Sequence, residues 1–192
     1  MKIYKLGEEV LSKNALPIPK EEINDDLKKL AEEMFETMIN ANGVGLACPQ
    51  IGQSRRMFVA IADDDVRRVF INPQIVRTSS DSVPYDEGCL SIPQTYETIM
   101  RPSQVTVQAQ DLDGKNFMLE AEGLLARVIQ HEIDHLDGIV FIDRGDAEFA
   151  KETREKFARR AERALQKAAE REAKEKRIAA KKAAKEAKKS AK

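Results

Sequence analysis

Between residues 23 and 39 the apolar side chains recur every three or four positions: Ile23, Leu27, Leu30, Ala31, Met34, Phe35 and Met38, with Lys, Glu and Asp between them. That period lines one face of a helix and predicts an amphipathic helix over 23–39, with Asn42-Gly43 as its stop. The next stretch, "GVGLACPQIG" at 43–52, is too rich in Gly and Pro to predict a regular element. Two strand-like runs follow, "MFVAIA" at 57–62 and "RVFINPQIVR" at 68–77, with Pro73 read as a break or an edge position. "QVTVQAQDLDGKNFMLEAE" at 104–122 alternates on both sides of Asp113-Gly114, which predicts a hairpin. Helical spacing returns from Glu122 to Leu136, carrying Leu124, Leu125, Val128, Ile129 and both histidines of the chain. Strands surround this helix without a repeating βαβ pattern. The expected fold class is therefore α+β, with antiparallel strands around a central helix.

From about Asp146 the pattern changes. Ala, Lys, Glu and Arg dominate, Gly and Pro are absent, and helix propensity is high throughout. Phe149, Phe157, Leu165 and Ile178 are too sparse to build a core there. The expected division is a catalytic-type domain at 1–146 and a basic helical tail at 147–192, whose last fifteen residues or so are expected to be solvated and fraying. Charge sharpens this division. The net charge of −1 hides a tail with 17 Lys+Arg against 8 Glu and a body with 15 Lys+Arg against 25 Asp+Glu. A basic arm on an acidic body predicts an anionic partner for the arm, such as nucleic acid or an acidic protein surface. Neither a signal-peptide run nor an apolar stretch of membrane-span length is present, so the expected location is the cytoplasm, away from membranes. Two cysteines in a reducing compartment are expected to be thiols.

The chemistry concentrates in "QHEIDHLDG", residues 130–138. His131 and His135 stand four apart on a helix, so both imidazoles lie on one face and can converge on one metal ion. A catalytic site of this kind has three protein ligands and an open position for water. The third ligand is open on spacing alone. A downstream carboxylate, Glu152 or Glu155, and a cysteine are both candidates. Cys89 lies in the short, polar, glycine-bearing segment "DEGCLSIP" (86–93). Cys48, in the other glycine-rich stretch, fits a small buried filler better than a ligand.

Three segments in order, "GVGLACPQ", "EGCLS" and "QHEIDHLDG", resemble the bacterial peptide deformylase family over residues 1–146. The first departs once from the family pattern, with Cys48 where alanine is usual, which puts a second thiol near the site and raises the question of redox sensitivity. The resemblance implies a hydrolase that removes the formyl group from the N-terminal formylmethionine of nascent chains and releases formate. It implies one divalent metal ion held by Cys89, His131 and His135, most often Fe2+, with Ni2+, Co2+ or Zn2+ able to replace it. It further implies Glu132 as the proton-transferring base, and Gln50 and the Leu90 backbone N–H as oxyanion donors. Glu87 is implied as the carboxylate behind a ligating histidine, paired with Arg101. Gly43, Val44, Gly45, Tyr85, Leu124 and Val128 are implied to bind substrate, beside Arg127, and Tyr96 stands where relatives often carry a cation near the substrate's downstream end. The basic tail is implied to dock on the ribosome, where binding would weaken with salt. Two other readings compete. One is a thermolysin-like metallopeptidase with Glu152 or Glu155 as third ligand. The other is a non-catalytic RNA-binding adaptor with a structural metal, although such sites usually carry four protein ligands.

Overall fold

A computed structural model describes residues 1–190, with side chains to residue 177. The first amphipathic stretch forms helix α1 at Asp25–Asn40, whose Asn24 side chain caps the backbone N–H groups of Asp26 and Leu27. Asn42 takes a left-handed φ of 56° and Gly43 N–H returns to Met38 O at 2.9 Å, which closes the helix end. Strands β1 (Gly45–Ala47), β2 (Met57–Ile61), β3 (Arg67–Thr78), β6 (Gln104–Gln110) and β7 (Asn116–Glu122) make one antiparallel sheet in the order β1-β2-β3-β6-β7. Strands β4 (Ser82–Cys89) and β5 (Ile92–Pro102) form a separate antiparallel hairpin. Helix α2 is Gly123–Leu136 and helix α3 is Ala147–Ser190.

The five-stranded sheet has a helix on each face. Period-two alternation sends Phe58, Phe70, Val105 and Val107 to one side, where they pack with Ala126, Val128, Ile129 and Ile133 of α2. Met57, Val59 and Ile71 point the other way and meet Leu27, Met34, Phe35 and Met38 of α1. Phe58 and Phe70 stack with ring centroids 4.5 Å apart. Because both faces of β2 are covered, α2 is held in the middle of the body rather than on its surface. The fold is α+β, as the spacing of the elements predicts.

Two local expectations change, and one hairpin is added. Pro73 neither breaks a strand nor marks an edge: β3 runs through it and lies between β2 and β6. The ladder to β6 is irregular between Ile71 and Gln74, so the missing N–H falls in a bulge. The stretch at 43–52 contains regular structure, the short strand β1 and a 3-10 turn at Cys48–Ile51. The segment at 86–93, read from the sequence only as short, polar and glycine-bearing, is the turn end of the β4–β5 hairpin. That hairpin has no Asn-Gly or Asp-Gly signal at its tip, and Pro84 and Pro93 mask its strands.

A first compact unit covers Met1–Ala150 and a second begins at Lys151. Asp146 caps α3 by accepting from Phe149 N–H at 2.8 Å. The expected solvated, fraying end of the tail concerns side chains outside the described residues. Among the described residues no helix is long and apolar enough to cross a membrane.

Candidate active site

Two elements bring the chemistry together. On α2, His131 and His135 stand one turn apart with ring centroids at 5.1 Å. The β4–β5 hairpin supplies Cys89 from its end, where the register shifts between Gly88 and Cys89. A Cβ at Gly88 would meet the Tyr96 ring at 2.7 Å, so glycine is what lets that ring lie across the strand. Cys89 Sγ is 3.2 Å from His135 Nε2, and the ligating atoms of Cys89, His131 and His135 all lie within 4.8 Å of one another. A thiolate and two imidazoles gathered this closely are the kind of donor set that a divalent ion takes. The donor set therefore fits a divalent ion.

The first imidazole is oriented from behind. His131 Nδ1 is 2.9 Å from Glu87 Oε2, which leaves Nε2 to face the thiol. Glu87 is itself gripped by Arg101, through Nε to Oε1 at 2.7 Å and Nη2 to Oε2 at 3.0 Å, and by Arg127 at 3.0 Å. Arg101 also donates to Asp134 at 2.7 Å, and Asp134 accepts from Arg144 at 2.6 Å. Burial by itself would raise the Glu87 carboxyl; the His131 and Arg101 hydrogen bonds outweigh it and hold the group at about 2. Burial likewise opposes a thiolate at Cys89, yet the charge of His135 and hydrogen bonds from both imidazoles hold the thiol well below its ordinary value. His135 Nδ1 is buried without a hydrogen-bond partner among the described residues.

Glu132 occupies the space opposite β1. It is 3% exposed, and its Oε2 has no hydrogen-bond partner among the described residues. Burial pushes its carboxyl up to about 7, against the pull of the two histidine charges. Gly45 makes this placement possible, because a Cβ there would press into the Glu132 carboxylate, with Cδ at 2.8 Å. Gln50 sits in the 3-10 turn after β1. Its Oε1 accepts from Ala47 N–H at 2.8 Å, and that bond turns its Nε2 toward Cys89 Sγ (3.5 Å) and Ser91 Oγ (3.3 Å).

These groups open onto a cavity of about 590 Å³. Gly43, Val44, Gly45, Gln50, Tyr85, Glu87, Cys89, Leu90, Leu124, Val128, His131 and Glu132 line it, with Arg127 and Tyr96. His135 and Arg101 are buried behind that wall. Arg127 is committed to Glu87 and to the carbonyls of Ile99 and Val83, and its guanidinium lies 5.6 Å from the Tyr85 ring. Cys48 is the buried filler that its sequence context favours, and the expectation of a second thiol near the site is corrected. It is fully buried, it faces Met34 Sδ at 3.7 Å in the α1 core, and it does not line the cavity. Sequence reasoning missed Lys5, Ser91, Asp134 and Arg144. Asp134 and Ser91 carried a signal, since they lie inside the histidine and cysteine motifs; Lys5, far from both, and Arg144, six residues past the histidine motif, carried none.

Comparison with known proteins supports the same chemistry. The family model for polypeptide deformylase matches residues 1–151. A peptide deformylase of Treponema pallidum is 45% identical over 158 residues, covering 82% of this chain and 96% of the relative. A solved peptide deformylase from Legionella pneumophila has a TM-score of 0.75 and 41% identity, covering 84% of this chain and 97% of that one. One from Synechococcus elongatus, solved in complex with actinonin, has a TM-score of 0.75 and 39% identity over 81% of this chain and 86% of that one. These matches overturn the thermolysin-like alternative. Among the described residues, the metal-ligating cluster is Cys89, His131 and His135, without Glu152 or Glu155, and Glu155 is paired with Arg159 at 3.3 Å.

Proposed function

The chain belongs to the polypeptide deformylase family, and from that premise we propose that Cys89, His131, His135 and Glu132 are the centre of its reaction. It is a metal-dependent hydrolase that removes the formyl group from the N-terminal formylmethionine of nascent polypeptides and releases formate. The observation that carries the assignment of the centre is the three-donor cluster at the floor of the cavity, with an unpartnered buried carboxylate beside it.

Cys89, His131 and His135 would hold the divalent ion, which when bound would supply Lewis acidity and make hydroxide available near neutral pH. On the resemblance to the family we put Fe2+ first, with Ni2+, Co2+ or Zn2+ as substitutes, and one thiolate with two imidazoles suits iron and zinc alike. The chain's own residues do the rest. Glu132 Oε2 takes a proton from the attacking water and returns it to the leaving amine. Gln50 Nε2 and the Leu90 N–H donate to the oxygen of the formyl group as negative charge develops there. β1 is the edge strand of the sheet, so the backbone of 43–45 can accept the substrate as an added strand. Val44, Leu124 and Val128 offer apolar surface for the methionine side chain, with Tyr85 and Arg127 at the wall. Glu87 and Arg101 keep His131 oriented.

The tail is the second part of the reading. Residues 147–192 form a basic module separate from a catalytic module at 1–146, and its excess of Lys and Arg over Glu suits the ribosomal surface, in the cytoplasm. Co-sedimentation of the full chain with ribosomes that persists unchanged as salt rises would count against that docking.

The reaction is tested by formate release from a formyl-Met-Ala-Ser peptide, with protein prepared anaerobically with ferrous iron. Glu132→Gln is expected to retain metal and fold and to lose about 10²–10⁴-fold in kcat. Full activity in that variant would sink the assignment of the base.

A further inference from the structure

Three consecutive residues near the start of the described chain tie together the turns that carry Gln50 and Cys89. Tyr4 N–H donates to Gln50 O at 2.8 Å and Leu6 N–H donates to Ser91 O at 3.0 Å. Between them, Lys5 Nζ donates to Leu90 O at 2.7 Å. That carbonyl shares one peptide unit with the Ser91 N–H, and the Ser91 N–H donates to Cys89 Sγ at 3.4 Å. An ammonium, a peptide group and a sulfur are thus joined in series. A cation on the carbonyl oxygen draws electron density through the amide, which makes its N–H a stronger donor at the far end. Lys5 is half-buried and stands in the cavity wall, so water competes only partly for its charge.

We propose that Lys5 is a positioning residue for the metal-binding sulfur, acting through the Leu90–Ser91 peptide to stabilise the Cys89 thiolate and fix the direction of its lone pairs. This rests on the reading of Cys89 as a ligand. The role differs from that of Glu87, which orients an imidazole by a direct hydrogen bond to His131 Nδ1. It also differs from the Tyr4 and Leu6 bonds, which join backbone to backbone and survive any side-chain change at position 5.

The test uses the full chain loaded with Co2+, whose sulfur-to-metal charge-transfer band reports the electron richness of the ligating sulfur. In Lys5→Met the band is expected to move to longer wavelength, because a sulfur with a weaker N–H donor gives up an electron more easily. Affinity for Co2+, measured by chelator competition, is expected to fall about tenfold, as for other groups that orient metal ligands. Lys5→Arg, which restores a cationic donor, should return both readouts toward the wild type, whereas loss of a merely structural lysine would not move the band. A wild-type protein that binds Co2+ with no such band would overturn the reading of Cys89 as a ligand. A normal wild-type band left unshifted in folded, loaded Lys5→Met would overturn the role of Lys5 alone. If Lys5→Met does not fold, Lys5→Gln carries the test, since it keeps a neutral donor and should give a smaller shift in the same direction.

Discussion

Gly45→Ala separates space from chemistry at this site. The backbone of Gly45 lies outside the left-handed region, so alanine meets no backbone strain there. What it meets is the Glu132 side chain: the added Cβ would fall against Oε1, 2.8 Å from Cδ and 2.9 Å from Cγ. Gly45 and Glu132 are both buried, and Glu132 is anchored on α2, so the carboxylate must yield by on the order of 0.5–1 Å. A displacement of that size at a proton-transferring group costs about a hundredfold in kcat, equivalent to about 2.7 kcal/mol of transition-state stabilisation. Overpacking adds a stability loss of about 1–3 kcal/mol, or a fall of several degrees in Tm. The assay is steady-state formate release with a thermal melt on the same metal-loaded sample. KM should change little, because the methionine pocket is untouched. Gly43→Ala is the control. Its Cβ would meet Leu90 Cδ1 at 2.7 Å, the free end of a flexible side chain that can swing aside. Full kcat in Gly45→Ala, or equal losses in the two alanine variants, would refute this role for Gly45.

Other outcomes follow from the same geometry. Arg101→Met leaves Glu87 and Asp134 buried with one fewer cation each, although Arg127 and Arg144 remain on them. It should cost about 3 kcal/mol in urea unfolding and weaken metal retention through the loosened His131; a change below about 1 kcal/mol would mean that the network is redundant. Cys48 should resist iodoacetamide in the folded protein. Burial pushes its thiol up to about 12, so the thiolate stays scarce from pH 7 to 10 and alkylation should not rise across that range, as peptide mass mapping would show. Cys48→Ala should leave kcat unchanged, since the sulfur faces α1 rather than the cavity; a large loss would return Cys48 to the site.

Periodicity was enough to read the parts of this fold that depend on local pattern. The stripe from Ile23 to Met38, the strands at 57–62 and 68–77, the hairpin about Asp113-Gly114 and the helix bearing both histidines are each written in spacings of two, three or four residues. A metal helix could also be read from sequence, because residues four apart on a helix share a face wherever that helix sits. The third donor could not. Cys89 lies 42 residues before His131, and no local rule says which loop closes on which helix; only likeness to a family put them together. The β4–β5 hairpin that makes the closure was illegible, since its prolines and its tip lack turn chemistry. Long-range pairing decided the remainder. The placement of Gly45 as the space for Glu132, of Asp134 beside Arg101, and of Lys5 on the Leu90 carbonyl exists only where distant segments meet, and for the first two the packing of α2 between sheet and hairpin is what makes them meet.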